Sequence, residues 1–192
     1  MSATSSIRSD RKATILDAAI TVFGRLGFRK TSIDDLTHAA QISRQGLYLH
    51  FSSKEAVFLA ALNKYLDDGL TLVEQSLSSP GASLVERLCG AMDAWFGRHL
   101  VTFAPEAFDV IEAGNRLSAS TTNEYIAAFQ TRITRAIADS TEFKRSGNVC
   151  SAREIAQVLF LCGLTWKEGR LSRLEFRSRL NLCVRACCQM KS

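Results

Sequence analysis

The chain has 192 residues, of which 46% are hydrophobic and 22% are charged, and its formal net charge at pH 7 is +5. This length is sufficient to bury a substantial hydrophobic core in one large or two small domains. Because no apolar run approaches about 18 residues and no charged-then-apolar leader opens the chain, we expect a cytoplasmic protein with neither a membrane-spanning helix nor a signal peptide.

Charge is distributed unevenly along the chain. Residues 1–55 hold eight lysines and arginines against five acidic residues, residues 56–140 hold six against ten, and residues 141–192 hold ten against four. The basic N-terminal segment suits contact with a polyanion, and the acidic middle confines such contact to one end. We interpret the basic C-terminal segment as a solvated helix face, with a second nucleic-acid surface as the alternative.

The first predicted element is an amphipathic helix. Residues 1–7 are small and polar and are predicted to be disordered. A helix is then predicted at residues 9–26, because one stripe at helical spacing is apolar: Ile15, Ala19, Val22, Phe23 and Leu26. Gly27 follows directly and predicts a left-handed C-terminal cap.

Two short helices joined by a tight turn are predicted next. Ser32 and Asp35 have the spacing of a capping box, which predicts that the second helix begins here. Gln41 and Ile42 form the predicted turn, and Ser43 is placed to cap a third helix at residues 44–51.

A helical wheel divides this third helix into two faces. Leu47 and Phe51 share the buried face, whereas the opposite face carries Arg44, Gln45, Gly46, Tyr48, Leu49 and His50. Arginine pairs with guanine, glutamine with adenine, and an apolar side chain contacts the methyl group of thymine, so this face predicts reading of the major groove. Gly46 costs a helix about 1 kcal/mol relative to Ala, which close approach to DNA would justify; simple tolerance in a short helix is the alternative.

This region closely resembles the DNA-binding domain of the TetR family of bacterial transcriptional regulators. The resemblance rests on TSI at residues 31–33, AQIS at residues 40–43 and LYLHFSSKE at residues 47–55. The corresponding family pattern is similar to T-[TS]-I, A-G-V-S and L-Y-x-H-F-x-[ST]-K-E, and the match covers about the first 60 residues. Gln41 replaces the usual glycine of the turn, and Gln45-Gly46 replaces a glycine followed by a small residue, which affects the bases that are read.

The resemblance implies roles for individual residues and a division of the chain. Phosphate contacts are implied for Thr31, Tyr48, His50 and Lys54, and base-facing positions for Arg44, Gln45, Gly46 and Leu49, with Ser43 beside them. It also implies a DNA-binding domain at residues 1–54, a domain for effector binding and dimerisation at residues 55–192, and a homodimer formed by the last two helices. Since a two-fold dimer places two reading helices in successive major grooves, we expect a near-palindromic operator on double-stranded DNA.

The rest of the chain predicts helices and no strand. Capping boxes are predicted at Ser52, Ser83, Thr121, Ser151 and Ser172. Further helices are predicted to end near residues 76, 100, 114, 140 and 166, and the last one begins near residue 173. The fold class is therefore all-α, with about nine helices. Residues 158–162 are apolar on every side, which predicts burial on both faces and supports dimerisation.

Six residues from the middle of the chain are candidates for an effector pocket: Trp95, His99, Phe103, Phe108, Phe129 and Trp166. Aromatic side chains from several helices could line an apolar ligand cavity, and ordinary core packing is the alternative for each. Glu106, Asp109 and Glu112 hint at a cationic ligand, with a solvated acidic face as the alternative. The resemblance adds an unknown small molecule as the effector.

The six cysteines do not predict a disulfide framework, because the expected compartment is reducing and the chain is large. We interpret them as small buried apolar residues, with a thiol switch or a metal site as the alternatives. No phosphate loop, metal-spaced cluster or nucleophile motif is present, so no cofactor or metal is expected. The predicted function is a homodimeric repressor released from DNA by an effector; the alternatives are a switch by cysteine oxidation and, least favoured, an enzyme.

Overall fold

The computed structural model describes residues 3–104, 107, 109–168 and 171–188. These residues form helices and no strand, which confirms the all-α prediction. The α-helices are α1 (Ala3–Leu26), α2 (Ile33–Ala39), α3 (Arg44–Tyr48), α4 (Lys54–Leu77), α5 (Leu84–Met92), α6 (His99–Thr102), α7 (Asp109–Asp139), α8 (Thr141–Arg145), α9 (Ala152–Glu168) and α10 (Arg173–Cys188), and a π-helical segment spans Asp93–Gly97.

Helix α1 forms as its apolar stripe predicts, although it begins earlier. Ala3 is its first residue, so the prediction of disorder is wrong for residues 3–7, while residues 1 and 2 lie outside the described residues. Ile15, Ala19 and Phe23 are buried. Gly27 has a φ of 82°, the left-handed conformation predicted for the cap, and its N–H donates to the carbonyl oxygen of Phe23 (2.9 Å).

A single apolar cluster holds α1 to α4 together. Phe23, Phe28 and Phe58 lie at its centre, with ring centroids 4.9–6.1 Å apart. Leu36 from α2 and Leu47 from α3 are fully buried in the same cluster. Each short helix is therefore fixed by an inward apolar side chain, because a helix of five or seven residues is not stable alone.

Helix α4 begins one residue later than its predicted capping box implies. Its first residue is Lys54, and the hydroxyl of Ser53 accepts a hydrogen bond from the N–H of Ala56 (3.1 Å). The cap is therefore Ser53 rather than Ser52, which is exposed. Two adjacent serines both have a capping hydroxyl, and the sequence alone did not distinguish them.

The helix predicted at residues 84–100 is interrupted. Helix α5 begins at the predicted capping box of Ser83 and Glu86, but a π-helical segment follows it. Within this segment the N–H of Arg98 donates to the carbonyl oxygen of Asp93 (3.1 Å), one residue further than in an α-helix. A Cβ atom at Gly97 would overlap the Asp93 carboxylate, so only glycine fits this arrangement.

The two helices predicted on either side of residue 118 are present and meet at a kink within α7. Helix α7 runs from Asp109 to Asp139, and Ser118 inside it has φ −157° and ψ 44°, outside the helical region. Thr121 lies within this helix, so the capping box predicted there is wrong. The five-residue helix α8, capped by Ser140, was not predicted.

The last two helices begin as predicted. The hydroxyls of Ser151 and Ser172 accept hydrogen bonds from the N–H groups of Glu154 (3.3 Å) and Glu175 (3.2 Å), which completes both capping boxes. Helix α9 approaches the core closely at Gly163, where a Cβ atom would overlap the ring of Phe96.

The chain divides into two compact units. The first unit comprises Met1–Asp67 and Thr102–Thr122, and the second comprises Asp68–Val101 and Asn123–Ser192. The first unit therefore contains the predicted DNA-binding domain and a separate segment more than 30 residues later in the chain. Among the helices of the described ranges, none has the length and apolar content that crossing a membrane requires.

Candidate nucleic-acid interface

The turn between α2 and α3 is tight and contains an unusual backbone conformation. Gln41 has a φ of 53°, the left-handed region that favours glycine. The N–H of Gln41 donates to the carbonyl oxygen of His38 (3.2 Å), and that of Ile42 donates to Thr37 (3.0 Å). The turn therefore keeps the geometry of a glycine turn although a glutamine occupies it.

Helix α3 buries one face and exposes the other, as the wheel predicts. Leu47 is fully buried, and Phe51 just beyond the helix is 6% exposed. Arg44 and Gln45 are exposed, Tyr48 is 53% exposed and Leu49 is 69% exposed. The exposed set thus combines guanidinium, amide, phenol and apolar groups on one surface.

Helix α3 is shorter than predicted, because it ends at Tyr48 rather than near residue 51. His50 lies in the turn after it, half-buried, and its N–H donates to the carbonyl oxygen of Leu47 (2.9 Å). The direction of the His50 side chain is therefore set by the turn and not by helix α3.

Gly46 faces little steric constraint from the protein itself. The hydroxyl of Ser43 accepts a hydrogen bond from its N–H (3.0 Å), and a Cβ atom at Gly46 would lie 3.3 Å from this hydroxyl oxygen and 3.7 Å from Cβ of Ile42. Small movements would accommodate these contacts. Packing within the chain therefore does not account for glycine at this half-buried helical position.

Arg44 is held by a carboxylate from the neighbouring helix. Its Nε and Nη2 atoms donate to Oδ1 (2.6 Å) and Oδ2 (2.5 Å) of Asp34 on α2. Both side chains are 65% exposed, so the pair lies at the surface. The hydrogen bond and charge of Arg44 lower the pKa of Asp34, and those of Asp34 raise the pKa of Arg44, so both groups are ionised at neutral pH.

Two residues with implied phosphate contacts make structural contacts within the protein. Thr31 is 1% exposed, and its hydroxyl donates to the carbonyl oxygen of Gly27 (2.6 Å). The Nζ atom of Lys54 donates to the carbonyl oxygens of Phe28 and Thr31 (both 3.0 Å) and lies 4.5 Å from the centre of the Phe28 ring. Both side chains therefore fix the loop between α1 and α2, and their phosphate contacts stay predictions.

The same loop is held from the start of α7. Oδ1 and Oδ2 of Asp109 accept hydrogen bonds from the backbone N–H groups of Phe28 (2.9 Å) and Arg29 (2.6 Å). Glu112 accepts two further bonds from Nη2 of Arg29 (2.8 and 2.7 Å). These two acidic residues therefore organise the loop, which argues against their interpretation as a site for a cationic ligand.

Asp34 and Asp109 were not predicted to belong to this region. Asp34 follows Ser32 in the first turn of α2, where an acidic residue is ordinarily explained by the helix dipole. Asp109 lies 80 residues from Arg29 in sequence, so no local pattern indicates their contact.

The five described candidates for the pocket lie in different surroundings. Trp95 and Phe129 stack with centroids 5.0 Å apart in a cluster with Phe96 and Phe160, which is ordinary core packing. Phe103 belongs to the other unit, where its ring lies 5.3 Å from that of Tyr65. Trp166 packs on Phe176, with ring centroids 6.2 Å apart, and Phe108 lies outside the described residues.

His99 is the ionisable member of this candidate set. Burial, with additional repulsion from the positive charges of Lys167 and Arg98, lowers the pKa of His99 to about 3. It is therefore neutral at physiological pH.

A small apolar cavity lies in the first unit. Its volume is about 20 Å³, enough for one water-sized molecule. The side chains around it come from α1, α4 and the segment leading into α7: Ile20, Phe23, Phe58, Ala61, Leu62, Tyr65, Phe103 and Val110. Phe103 is thus the predicted pocket residue that borders this space.

Three of the six cysteines form a cluster between α9 and α10. Sγ of Cys183 lies 3.8 Å from Sγ of Cys162 and 4.0 Å from Sγ of Cys187. Burial and the neighbouring thiols raise the pKa of Cys183 to about 12, and burial also raises the pKa of Cys187. No group of three or more metal-binding side chains among the described residues is arranged to hold a metal ion.

Comparison with known proteins places this surface in a family. The model of the tetR family of bacterial regulatory proteins matches residues 15–61. YfiR of Bacillus subtilis, an uncharacterized HTH-type transcriptional regulator, is 42% identical over 69 residues, 36% of this chain and 34% of that protein. FasR of Mycolicibacterium smegmatis, an HTH-type transcriptional activator, is 34% identical over 89 residues, 46% of this chain and 40% of that protein. The matches thus span about a third to two fifths of these relatives.

A likeness to solved structures extends over nearly the whole chain. The TetR-family transcriptional regulator CifR, a cysteine mutant in complex with 26-bp double-strand operator DNA, is 26% identical, with a TM-score of 0.60 over 91% of this chain and 95% of that one. Fold and surface define a helix-turn-helix protein with a second helical unit. Residues 15–61 match the TetR family of bacterial regulatory proteins, and the chain as a whole has a TetR-like fold. Its relatives are named as regulators rather than enzymes, which agrees with the prediction that it is not an enzyme.

Proposed function

We propose that the protein is a homodimeric transcriptional repressor that binds a near-palindromic operator and is released from it by a small-molecule effector. The exposed face of α3 carries this proposal: Arg44, Gln45, Tyr48 and Leu49 lie together on a five-residue helix whose other face is buried. Solvation alone requires neither a phenol nor a leucine at such exposed positions. Their combination suits the donor, acceptor and methyl pattern of the major groove.

Selection of duplexes from a random library by the purified protein, near physiological salt, tests DNA reading. We expect a near-palindrome whose half-sites are about one helical turn apart, since each protomer presents one α3. The 26-bp operator of CifR is long enough for two such half-sites. If no motif is recovered and binding only weakens as salt rises, the surface binds DNA without reading its sequence.

Dimerisation through the last two helices is supported by apolar side chains exposed on the single chain. Val158 and Leu161 on α9 are 45% and 54% exposed, and Leu174 and Leu182 on α10 are 76% and 72% exposed. Leu174 and Leu182 are eight residues apart and share one helix face. Such a surface is typical of an interface between subunits.

Charge placed on this surface tests the dimer. We expect Leu161→Glu and Leu182→Glu to shift the protein toward monomer in sedimentation velocity and to weaken operator binding. Val149→Glu is the matched control, because Val149 is 90% exposed but lies outside both helices. Equal behaviour of all three variants would contradict the proposed interface.

The effector is proposed to be a small apolar molecule that opens the cavity beside Phe103. A 20 Å³ cavity is far smaller than a ligand site, so binding would select a more open conformation of the first unit. Val110→Phe should fill this space and abolish effector-dependent release while preserving operator binding. Ile111→Phe is the control, because Ile111 is 50% exposed. If the effector still releases Val110→Phe from the operator, the effector binds elsewhere in the protein.

The second candidate keeps the same DNA reader and makes cysteine oxidation the signal. The close thiols of Cys162 and Cys183 support it, since a peroxide could join them in a disulfide and be reduced to water. The raised pKa of Cys183 weighs against it, because the thiolate is the reactive form. If replacing all six cysteines by serine or alanine leaves a peroxide response unchanged, this candidate is excluded.

A further inference from the structure

The contact between Asp34 and Arg44 has a geometry that matters for base recognition. An arginine side chain carries five N–H donors, one on Nε and two on each Nη atom. Asp34 occupies the donor on Nε and one donor on Nη2. The Nη1 donors and the second Nη2 donor remain, and together they form the outer end of the guanidinium. This end has the spacing for a bidentate contact with O6 and N7 of guanine.

Stability does not explain the pair, since an ion pair contributes little to folding where both side chains are 65% exposed and water screens the charges. The pair instead restricts the conformational freedom of the Arg44 side chain. Four rotatable bonds separate the guanidinium from the backbone, and a bidentate contact with another helix restricts them before any DNA is present.

The carboxylate of Asp34 also has an electrostatic cost at a DNA-binding surface. A negative charge on α2 beside the reading helix repels the phosphate backbone and lowers the affinity for every sequence. The residue is therefore unfavourable for non-specific binding. For DNA binding, an acidic residue here is favourable only if it increases the difference in affinity between the correct sequence and other sequences.

We propose that Asp34 is a positioning residue that sets sequence specificity by orienting Arg44 for a guanine. This inference rests on the proposed function of α3 as the base-reading helix. Asp34 itself makes no base contact in this arrangement; it acts through Arg44. It increases discrimination between base pairs and decreases overall affinity for DNA.

Three variants separate this role from a general effect of charge. Asp34→Asn removes the negative charge and weakens the contact with Arg44, and Arg44→Ala removes the proposed base-reading side chain. Glu55→Gln is the matched control, because Glu55 is an exposed acidic residue in the first turn of α4 and its removal changes the net charge equally. Each variant, and the double variant of Asp34 and Arg44, is compared with the wild type by duplex selection and by fluorescence anisotropy.

The anisotropy measurement uses the selected duplex, the same duplex with the base pair read by Arg44 replaced, and a scrambled duplex. We expect Arg44→Ala to reduce discrimination at that base pair by roughly 10-fold to 100-fold. Asp34→Asn should reduce it at the same base pair by roughly 3-fold to 10-fold and should tighten binding to the scrambled duplex about 2-fold to 5-fold. In the Arg44→Ala background, Asp34→Asn should leave base preference unchanged.

Each contrary result has its own meaning. If Asp34→Asn and Glu55→Gln behave alike, Asp34 acts only through its charge and the inference is overturned. A change in base preference caused by Asp34→Asn in the Arg44→Ala background would make Asp34 a direct base reader instead. If Arg44→Ala leaves the selected motif intact, the base-reading assignment of Arg44 in the proposed function fails first, and the role of Asp34 fails with it.

Discussion

At the scale of single residues, Gly46 is a position where folding and DNA binding make opposite demands. Alanine is favoured over glycine in a helix by about 1 kcal/mol, and the nearest obstacle to a Cβ atom is a hydroxyl oxygen at 3.3 Å. Folding alone would therefore accept alanine. Close approach of the backbone to a base edge would not, because the methyl group would occupy the space that the base needs.

We expect Gly46→Ala to raise the free energy of unfolding by up to about 1 kcal/mol and to lower operator affinity at least 10-fold. Urea denaturation and fluorescence anisotropy on the selected duplex measure the two effects. Undiminished affinity would mean that the backbone of α3 does not approach DNA closely at this residue.

Gln41 carries a conformational cost that glycine would remove. A left-handed φ of 53° costs a residue with a side chain about 1–2 kcal/mol, whereas glycine loses about 0.5–1 kcal/mol through its greater freedom in the unfolded chain. Gln41→Gly should therefore raise the free energy of unfolding by about 0.5–1 kcal/mol. Denaturant unfolding of the two proteins checks this, and a less stable variant would show that the glutamine side chain makes compensating contacts.

At the scale of helices, two neighbouring serines, Ser52 and Ser53, have different roles at the start of α4. Loss of an N-terminal cap costs about 1 kcal/mol, and the hydroxyl of Ser53 makes the capping bond to Ala56. Ser53→Ala should lower the free energy of unfolding by about that amount, and Ser52→Ala should leave it nearly unchanged. Urea unfolding measures both variants. If Ser52→Ala were the more destabilising change, Ser52 would be the cap.

Local signals predicted the helices well. The capping boxes at Ser32, Ser83, Ser151 and Ser172 form, because each pairs a hydroxyl with a carboxylate three residues later at the start of a helix. Thr121 and Glu124 have the same spacing but lie inside α7, so the spacing alone is not sufficient. The two faces of α3 were also predicted, since helical spacing alone decides which side chains point together.

Features that depend on distant residues were not predicted. The π-helical segment places Asp93 where its carboxylate accepts two hydrogen bonds from Arg173, 80 residues away. The contact of Asp34 with Arg44 also has no signature in local spacing. Helix type and capping follow from neighbouring residues, whereas interruptions and side-chain pairings follow from how the chain packs.

At the scale of the whole molecule, His99 makes stability depend on pH. The pKa of His99 is about 3 in the folded protein and close to 6.5 in the unfolded chain, so between these values the unfolded chain binds the additional proton. The contribution of His99 to stability should therefore be constant above about pH 7 and should fall as the pH decreases through 6.5. Carboxylates with lowered pKa, such as Glu86, Glu154 and Glu175, lose their contribution only near and below pH 4.5.

We expect the free energy of unfolding to decrease by about 1 kcal/mol between pH 6.5 and pH 5, and His99→Gln to flatten this decrease. Urea unfolding at several pH values measures it. His38→Gln, which removes an exposed histidine, is the control and should retain the wild-type dependence. An unchanged slope in His99→Gln would assign the effect to other groups.

The hydrogen bonds that Asp109 accepts from the loop after α1 affect the design of chimeras between such regulators. Residues 15–61 match the family model, yet the first compact unit also includes residues 102–122, and Ala104 donates its N–H to the carbonyl oxygen of Gly24 (2.8 Å). A chimera that exchanges residues 1–54 alone would pair the loop at Phe28 and Arg29 with a foreign partner. Exchanging residues 1–67 together with residues 102–122 would transfer the helix-turn-helix together with the segment that holds its loop.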